Sequence, residues 1–515
     1  MLNNRLSFTR PNCDTKERLL TEMQTLLKQI GPGYMMNTAY DTAWVARLHK
    51  LNEPIAEQAL DWLRKHQLAD GSWGAAEPLY HHDRVICTLA AVIALAERGL
   101  EQDQLRVSRG LTALKEHKAK LHLDLSGETI AFEMLMPALM AEAKALNLVP
   151  RGDTGLLNEM AQVREIKLAK SPGKMISRLT TLAFSAEVAG PDGMHILDLE
   201  NLQEPDGSVG YSPSATAYYT LNFAPGNKAA LNYLRANCHN GGVPNVAPFD
   251  VFEPAWTLWN IGLTHPHDQE TLEACQPHLD FLERHWRQGQ GIGFAAGFVA
   301  KDSDETSVVL EVLSQFGRPN DIGALLSFEE EAYFRCFDLE VNPSVSANIH
   351  VLSALRQKGY DVSNPSVNKI LRFLDRQRTK RGYWLDKWQF SPYYTTAHLI
   401  IACAGYFNSF VHEAVNWIIS TQHQDGSWGH YCPTAEETAY CLQALAIWKR
   451  EGQHVPEKAL DDGTRWLEQH KEPPYPPLWI GKCLYSPILV IKSAILSALA
   501  LVGSEFSNNN SQSRS

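Results

Sequence analysis

The sequence predicts an all-α protein built as two α-α barrels, and three observations carry that prediction. A short motif recurs three times, as Gln67-Leu-Ala-Asp70-Gly-Ser-Trp73-Gly74, Gln203-Glu-Pro-Asp206-Gly-Ser-Val209-Gly210 and Gln422-His-Gln-Asp425-Gly-Ser-Trp428-Gly429. Each copy lies between an amphipathic helix, such as EQALDWLRKHQ, and a more apolar one, such as RVICTLAAVIALAERG. Apolar residues in these flanks recur at helical spacing, and no run alternates in the manner of a strand.

The motif reads as a tie between helices. Asp-Gly ends the first helix, because glycine takes the left-handed turn that other residues resist. The Gln amide can bond free backbone groups at a helix end, and the indole can pack on the next helix. Irregular spacing between copies implies degenerate ones, and Trp286–Phe294 and Gln377–Trp384 are the candidates. Helix pairs repeated around a ring make an α-α barrel. The expected organisation is an N-terminal helical segment (1–40) docking on the second barrel, a first barrel (41–254), a second barrel (255–502) and a flexible tail (503–515).

Composition excludes several classes. The chain has 515 residues, 44% apolar and 20% charged, with a formal net charge of -11. This is globular composition, and the acidic balance lacks the basic footprint of a nucleic-acid binder. The nine cysteines, Cys13, Cys87, Cys238, Cys275, Cys336, Cys403, Cys432, Cys441 and Cys483, are dispersed without a CxxC pair. They point to reduced thiols in a cytoplasmic protein and away from a zinc ribbon or disulfide framework. The N-terminus lacks the apolar stretch of a signal peptide. The apolar run Ile488–Val502 contains Lys492 and is too short to span a bilayer, so no stable membrane insertion is expected.

One run of acids stands out, Asp302-Ser-Asp304-Glu305, just before the apolar stretch Thr306–Phe316. By itself it has a plain structural reading, a solvated helix start with Asp302 or Asp304 as N-cap. Taken with Tyr40-Asp-Thr-Ala-Trp-Val-Ala46, the Gln-x-x-Asp-Gly-Ser repeats, Ser212-Pro-Ser-Ala-Thr-Ala217, Asp250-Val-Phe-Glu253 and Trp479-Ile-Gly-Lys482, it resembles the class II diterpene cyclases of bacteria and plants. The resemblance runs from about Asn37 to Val502. It implies two α-α barrels, named γ and β, with the active cavity between them. The family signature Asp-x-Asp-Asp reads here with Glu305 in the last place.

The chemistry implied is protonation of an alkene. Carboxyls packed in a dry pocket cannot all ionise, so one keeps its proton at neutral pH. By resemblance Asp304 is the donor, with Asp302 and Glu305 orienting it. The carbocation must be shielded from water, and aromatic faces stabilise it by ~0.5–2 kcal/mol each. Trp256, Phe184, Tyr211, Tyr393 and Tyr394 are the candidates, each also readable as plain core. The resemblance matches Lys167 and Lys387 to lysines that hold the substrate diphosphate. It implies Mg2+ as cofactor, yet the acidic motif that accompanies the ion in plants is degraded here to Leu121-His-Leu-Asp124-Leu, and no metal ligand is assigned. His81-His82-Asp83 reads as a helix start rather than a metal site.

The cascade must end by proton loss. Plant ent-copalyl enzymes use a His and an Asn, in Leu-His-Ser and Pro-Asn-Val. This chain keeps Pro244-Asn245-Val246, making Asn245 a catalytic candidate, but has Ala183-Phe184-Ser185 in place of the first. Without that His the cation should survive long enough to rearrange. The expectation is a clerodane (kolavenyl) or halimadane (tuberculosinyl) diphosphate made from geranylgeranyl diphosphate, with copalyl diphosphate as the alternative. The only Asp pair, Asp461-Asp462, lacks the Asp-Asp-x-x-Asp pattern that ionises a diphosphate, so the product should retain its own. A class I terpene synthase or a phosphatase would then act downstream. Meroterpenoid cyclases have no use for Lys167 and Lys387. An α-α barrel glycosidase would need a separated carboxylate pair, which the sequence does not nominate over residues 302–305.

Overall fold

The computed structural model describes residues 13–512 except 34, 125–126, 150–159, 163, 167–172, 174, 191–192, 339 and 341, with side chains described from 16 to 503. Helices dominate. The described strands are two-residue ribbons, Asn37–Thr38 against Val243–Pro244 and Trp479–Ile480 against Leu484–Tyr485, both antiparallel.

Six helices close the second barrel. Phe252–Gly262, Ser303–Gln315, Val345–Gln357, Pro392–Cys403, Ala435–Arg450 and Ile488–Gln512 touch in that order, and the last returns to the first. Outer helices such as Pro365–Gln377 and Asn408–Ser420 pack behind them. The Cys13–Leu27 helix joins this outer layer through Leu19, Met23, Leu26 and Leu27. The final helix runs on through Gln512, into the segment expected to be a flexible tail. The first barrel has a smaller ring: Ala39–Ala46, His81–Arg98, Phe132–Ala145, the 3-10 segment Thr181–Ala189 and Pro213–Asn222. Its core is distinct from that of the second barrel.

The inner helices are apolar nearly all round because both of their faces are covered. All twelve residues of Pro392–Cys403 are buried. In Pro365–Gln377, an outer helix, only Val367, Ile370, Leu371, Phe373 and Leu374 are. This difference is what the alternation of amphipathic and apolar segments encodes.

The repeat makes the same bonds in each copy. The Gln67, Gln203 and Gln422 amides donate to the carbonyls of Gly71, Gly207 and Gly426 at 2.8–2.9 Å. Gln67 and Gln422 also reach the carbonyls of Arg106 and Ala459 in the next outer helix. Trp73, Trp384 and Trp428 each donate their indole N–H to a carbonyl of the preceding outer helix, at Leu63, Leu374 and Ile418. A further tie comes from the following inner helix. Thr88, Thr216, Thr306, Thr396 and Thr438 accept the backbone N–H of Trp73, Val209, Ile292, Trp384 and Trp428, and Asn348 does the same for Phe334. Both degenerate copies nominated from the sequence carry this tie.

The three Asp-Gly glycines have φ of +92°, +94° and +96°, and a Cβ there would lie 2.4–2.8 Å from a neighbouring carbonyl oxygen. Gly426→Ala should therefore destabilise the second barrel by about 1–3 kcal/mol. Chemical denaturation followed by far-UV circular dichroism checks this; an unchanged midpoint would contradict the tie.

Candidate active site

The acid run opens the Ser303–Gln315 helix. Asp302 is its N-cap, in extended conformation, and accepts the Glu305 N–H at 2.7 Å. Ser303 and Glu305 are buried, and the Asp304 side chain is 15% exposed. Burial pushes the Asp302 carboxyl up to about 8, and the neighbouring Asp304 charge adds to this against the cap bond. Glu305 is pushed well above the carboxylate range by burial, then by Asp302 and Asp304. Its Oε2 is buried without a partner. The helix-start reading and the acid-cluster reading thus describe one arrangement. The cap gives Asp302 its place, and the dryness gives the cluster its protons.

Two histidines not singled out in the sequence complete the site. His350 Nδ1 lies 2.5 Å from Asp304 Oδ1, and His350 Nε2 lies 2.9 Å from His398 Nδ1. Burial, then the adjacent His350, holds His398 well below the imidazole range. His398 is therefore neutral and has one N–H to give.

An aromatic wall surrounds this chain. Trp256 meets His350 edge-on at 4.9 Å and stacks on His398 at 5.6 Å. Tyr394 lies 4.3 Å from His398 and 5.1 Å from Trp479. Tyr440, Phe252 and Tyr485 extend the wall. Behind it Glu436 Oε1 accepts from Tyr440, Trp479 and Gln389, while its Oε2 is buried and unpartnered. Burial pushes this carboxyl up to about 8.

The other nominated aromatics lie elsewhere. Tyr393 stacks on Trp417 of an outer helix at 4.8 Å. Neighbouring helical residues point about 100° apart, so Tyr393 cannot share the inward face of Tyr394. Tyr211, at a positive φ of 57°, packs with Phe294 and Phe298 in a small separate cluster. Phe184 and Asn245 belong to a second constellation, centred on the hairpin tip Gly481-Lys482-Cys483. Lys482 Nζ sits 4.5 Å from the Phe184 ring centroid. Asn245 donates to Asp41 Oδ2 at 2.8 Å, and its own Oδ1 is buried without a partner.

Lys387 pairs with Glu340 and donates to the Asn342 carbonyl at 2.5 Å. Lys167 lies outside the described residues. Asp124 accepts the backbone N–H groups of His81 and His82 at the start of His81–Arg98, and bonds the His82 ring. Asp83 accepts backbone N–H groups from Ala75 and Leu484. The one group among the described residues with metal-ligand spacing is Asp83, Cys87 and Cys483. Burial keeps both thiols protonated, and Mg2+ requires a shell of oxygens. That group therefore does not fit Mg2+.

The comparisons agree on one family. The family profile described as squalene-hopene cyclase C-terminal domain matches residues 336–447. The type B diterpene cyclase of Mycobacterium tuberculosis is 45% identical over 492 residues, 93% of this chain and 98% of its relative. The chloroplastic ent-copalyl diphosphate synthase of Arabidopsis thaliana is 32% identical over 391 residues, 73% of this chain and 47% of its relative. This chain thus spans about half the length of that plant protein. The structure of ent-copalyl diphosphate synthase from Streptomyces platensis superimposes with a TM-score of 0.76 at 30% identity, covering 95% of this chain and 99% of the other. The Arabidopsis enzyme in complex with (S)-15-aza-14,15-dihydrogeranylgeranyl thiolodiphosphate gives 0.69 at 25% identity, covering 94% and 63%.

The raised Asp302 carboxyl has a sign that can be tested. Its folded pKa, about 8, exceeds the unfolded value, so its contribution to stability is full at low pH and is lost as pH rises through 8. Asp302→Asn keeps a capping oxygen and removes the titration. Relative to wild type, the variant should therefore gain stability between pH 5.5 and 9. A constant difference in denaturation midpoint across that range would contradict the burial argument.

Proposed function

We propose that this chain, which belongs to the class II diterpene cyclase family, protonates the terminal alkene of geranylgeranyl diphosphate from Asp304 and closes two rings, giving a rearranged bicyclic diterpenyl diphosphate. The observation that carries the reading is the bond between His350 and Asp304 Oδ1 inside the aromatic wall. A neutral His398 can donate its Nδ1–H as a hydrogen bond to His350 Nε2, and His350 then donates its Nδ1–H to Asp304 Oδ1. That leaves Oδ2 to carry the acidic proton. Delivery to the alkene forms the new C–H bond and leaves a carboxylate, which the His350 N–H stabilises. The adjoining carbocation forms among Trp256, Tyr394 and Trp479, whose ring faces favour positive charge. The Arabidopsis relative, whose bound compound is a geranylgeranyl thiolodiphosphate, supports the substrate class.

Retention of the diphosphate is supported by the sequence, whose only Asp pair lacks the Asp-Asp-x-x-Asp pattern that ionises one. Asp461-Asp462 belongs to the outer Glu457–Gln469 helix, and Asp462 is spent on Lys458 and Arg465. Lys387 would exchange Glu340 for the diphosphate, and Lys167 is the second lysine that the family resemblance assigns to that group. No step is routed through Mg2+. Among the described residues no helix is long and apolar enough to cross a membrane, which is compatible with a cytoplasmic enzyme passing its product to a class I synthase or a phosphatase.

The product is proposed as a halimadane or clerodane diphosphate because Phe184 offers no proton acceptor where plant ent-copalyl enzymes have one. Delayed proton loss lets hydride and methyl shifts proceed. Asn245 supports a second reading, copalyl diphosphate, because its Oδ1 is buried and unpartnered and could hold a water acting as base.

Incubation with geranylgeranyl diphosphate, dephosphorylation, and identification of the alcohol by mass spectrometry and NMR decides between them. Copalol as the main alcohol would overturn the rearranged product. Asp304→Asn should abolish turnover with the fold intact, since an amide cannot supply the proton; more than a few per cent residual activity would remove Asp304 as the acid. Lys387→Ala should raise KM by roughly one to two decades, the effect of losing a contact worth about 1.5–3 kcal/mol. An unchanged KM would take it out of the substrate site.

A further inference from the structure

Lys482 is a fully buried cation that the proton-transfer scheme above does not use. It stands at the tip of the Trp479–Tyr485 hairpin, which leaves the second barrel and enters the first. Its three N–H groups are surrounded by the Phe184 carbonyl at 2.8 Å, Ser212 Oγ at 2.7 Å, Ser214 Oγ at 2.5 Å and Glu187 Oε1 at 2.8 Å, with Asp41 Oδ1 at 4.0 Å. Further donors bond these acceptors, although Glu187 Oε2 is buried without a partner. Ser214 and Tyr40 both donate to Glu187, and Thr38 donates to Asp41. One buried charge therefore ties three elements of the first barrel to the second.

Two of the tied groups, Phe184 and Asn245, are those that the proposed function assigns to the end of the cascade. Phe184 is held twice, by its carbonyl and by the ammonium 4.5 Å from its ring centroid. A ring whose face already meets an ammonium has less to offer a carbocation, because both compete for the same quadrupole. Phe184 then acts as a fixed apolar wall more than as a cation stabiliser. Asn245 is held through Asp41, which faces Lys482 with one oxygen and accepts the Asn245 amide with the other. That bond turns Oδ1, the group able to accept, away from Asp41. The room for it comes from Gly481, where a Cβ would lie 2.1 Å from Asn245 Oδ1.

We propose that Lys482 is a positioning residue that sets which proton the cyclised cation loses, by fixing the Phe184 wall and, through Asp41, the Asn245 amide. Acting on Phe184 and Asn245 rather than on the substrate, it governs the distribution among bicyclic diphosphates more than the rate of the first protonation. This rests on the reading that Phe184 and Asn245 face a bicyclic diterpenyl cation.

The test compares product ratios from geranylgeranyl diphosphate at matched conversion for wild type, Lys482→Met, Ser214→Ala and Asn245→Ala. A ratio is independent of how much of each preparation is folded, so a merely structural role would not move it. Lys482→Met should change the ratio of minor to main alcohol by about tenfold, the size expected from losing one charge-assisted contact. Ser214→Ala, which keeps the lysine and removes one acceptor, should shift it less and in the same direction. It decides the matter alone if Lys482→Met does not fold. Wild-type ratios in the lysine and serine variants would overturn the proposal. If Asn245→Ala still changed the ratio, the reading of the wall would stand and the role of Lys482 would fall. If it did not, the wall itself would be misread.

Discussion

Carboxyl groups crowded at the start of one helix and denied water cannot all be charged, and the site is arranged around that constraint. A helix N-terminus favours anions, which suits Asp302 as a cap. Burial opposes ionisation strongly enough to reverse the outcome for Asp302 and Glu305. Asp304 is given a different environment, since it is the carboxyl bonded to His350. Asp302 and Glu305 thus favour their protonated forms, and Asp304 is the carboxyl of the three with an imidazole against one of its oxygens. Such a division is what a reversible proton donor needs. The neutrality of His398 extends the same logic outward, because burial that keeps carboxyls protonated also keeps this imidazole uncharged.

The barrel supplies the dry, rigid surroundings this requires. Inner helices are sealed on their outer side by amphipathic partners, and four of the six in the second barrel are tied by a threonine or asparagine to the preceding loop. The same register recurs around the ring. Two residues beyond the tying Thr306, Asn348, Thr396 and Thr438 come Val308, His350, His398 and Tyr440, and the last three form the site's hydrogen-bonded and aromatic network. The hairpin at 479–485 then joins the barrels twice over. It contributes Trp479 and Tyr485 to the wall of one and Lys482 to the buried polar network of the other.

Much of the fold was legible, because it is written as a local pattern. The Gln-x-x-Asp-Gly-Ser copies announce a helix end, and the alternation of amphipathic with apolar segments announces outer and inner layers. The acid run was legible as a run of like charges placed before an apolar helix. His350 and His398 were not, since each is a lone histidine in an apolar helix, on different helices from Asp304 and from each other. Their common offset from the tying residue was a usable signal, visible only once Thr306, Asn348 and Thr396 are recognised as equivalent. Tyr393 and Tyr394 could not be separated by type, and helix geometry separates them at once. Lys482 was visible only as part of a motif, because the sequence does not show a lysine to be buried.

The central claim is that the reaction begins with proton transfer from the carboxyl cluster and leaves the diphosphate in place. Turnover of geranylgeranyl diphosphate by the wild-type enzyme in deuterium oxide tests this most directly, since the cluster exchanges its protons with solvent. The account predicts a product diphosphate carrying a single deuterium on the ring carbon derived from the terminal alkene. A product without deuterium, or free inorganic diphosphate released as product forms, would contradict it.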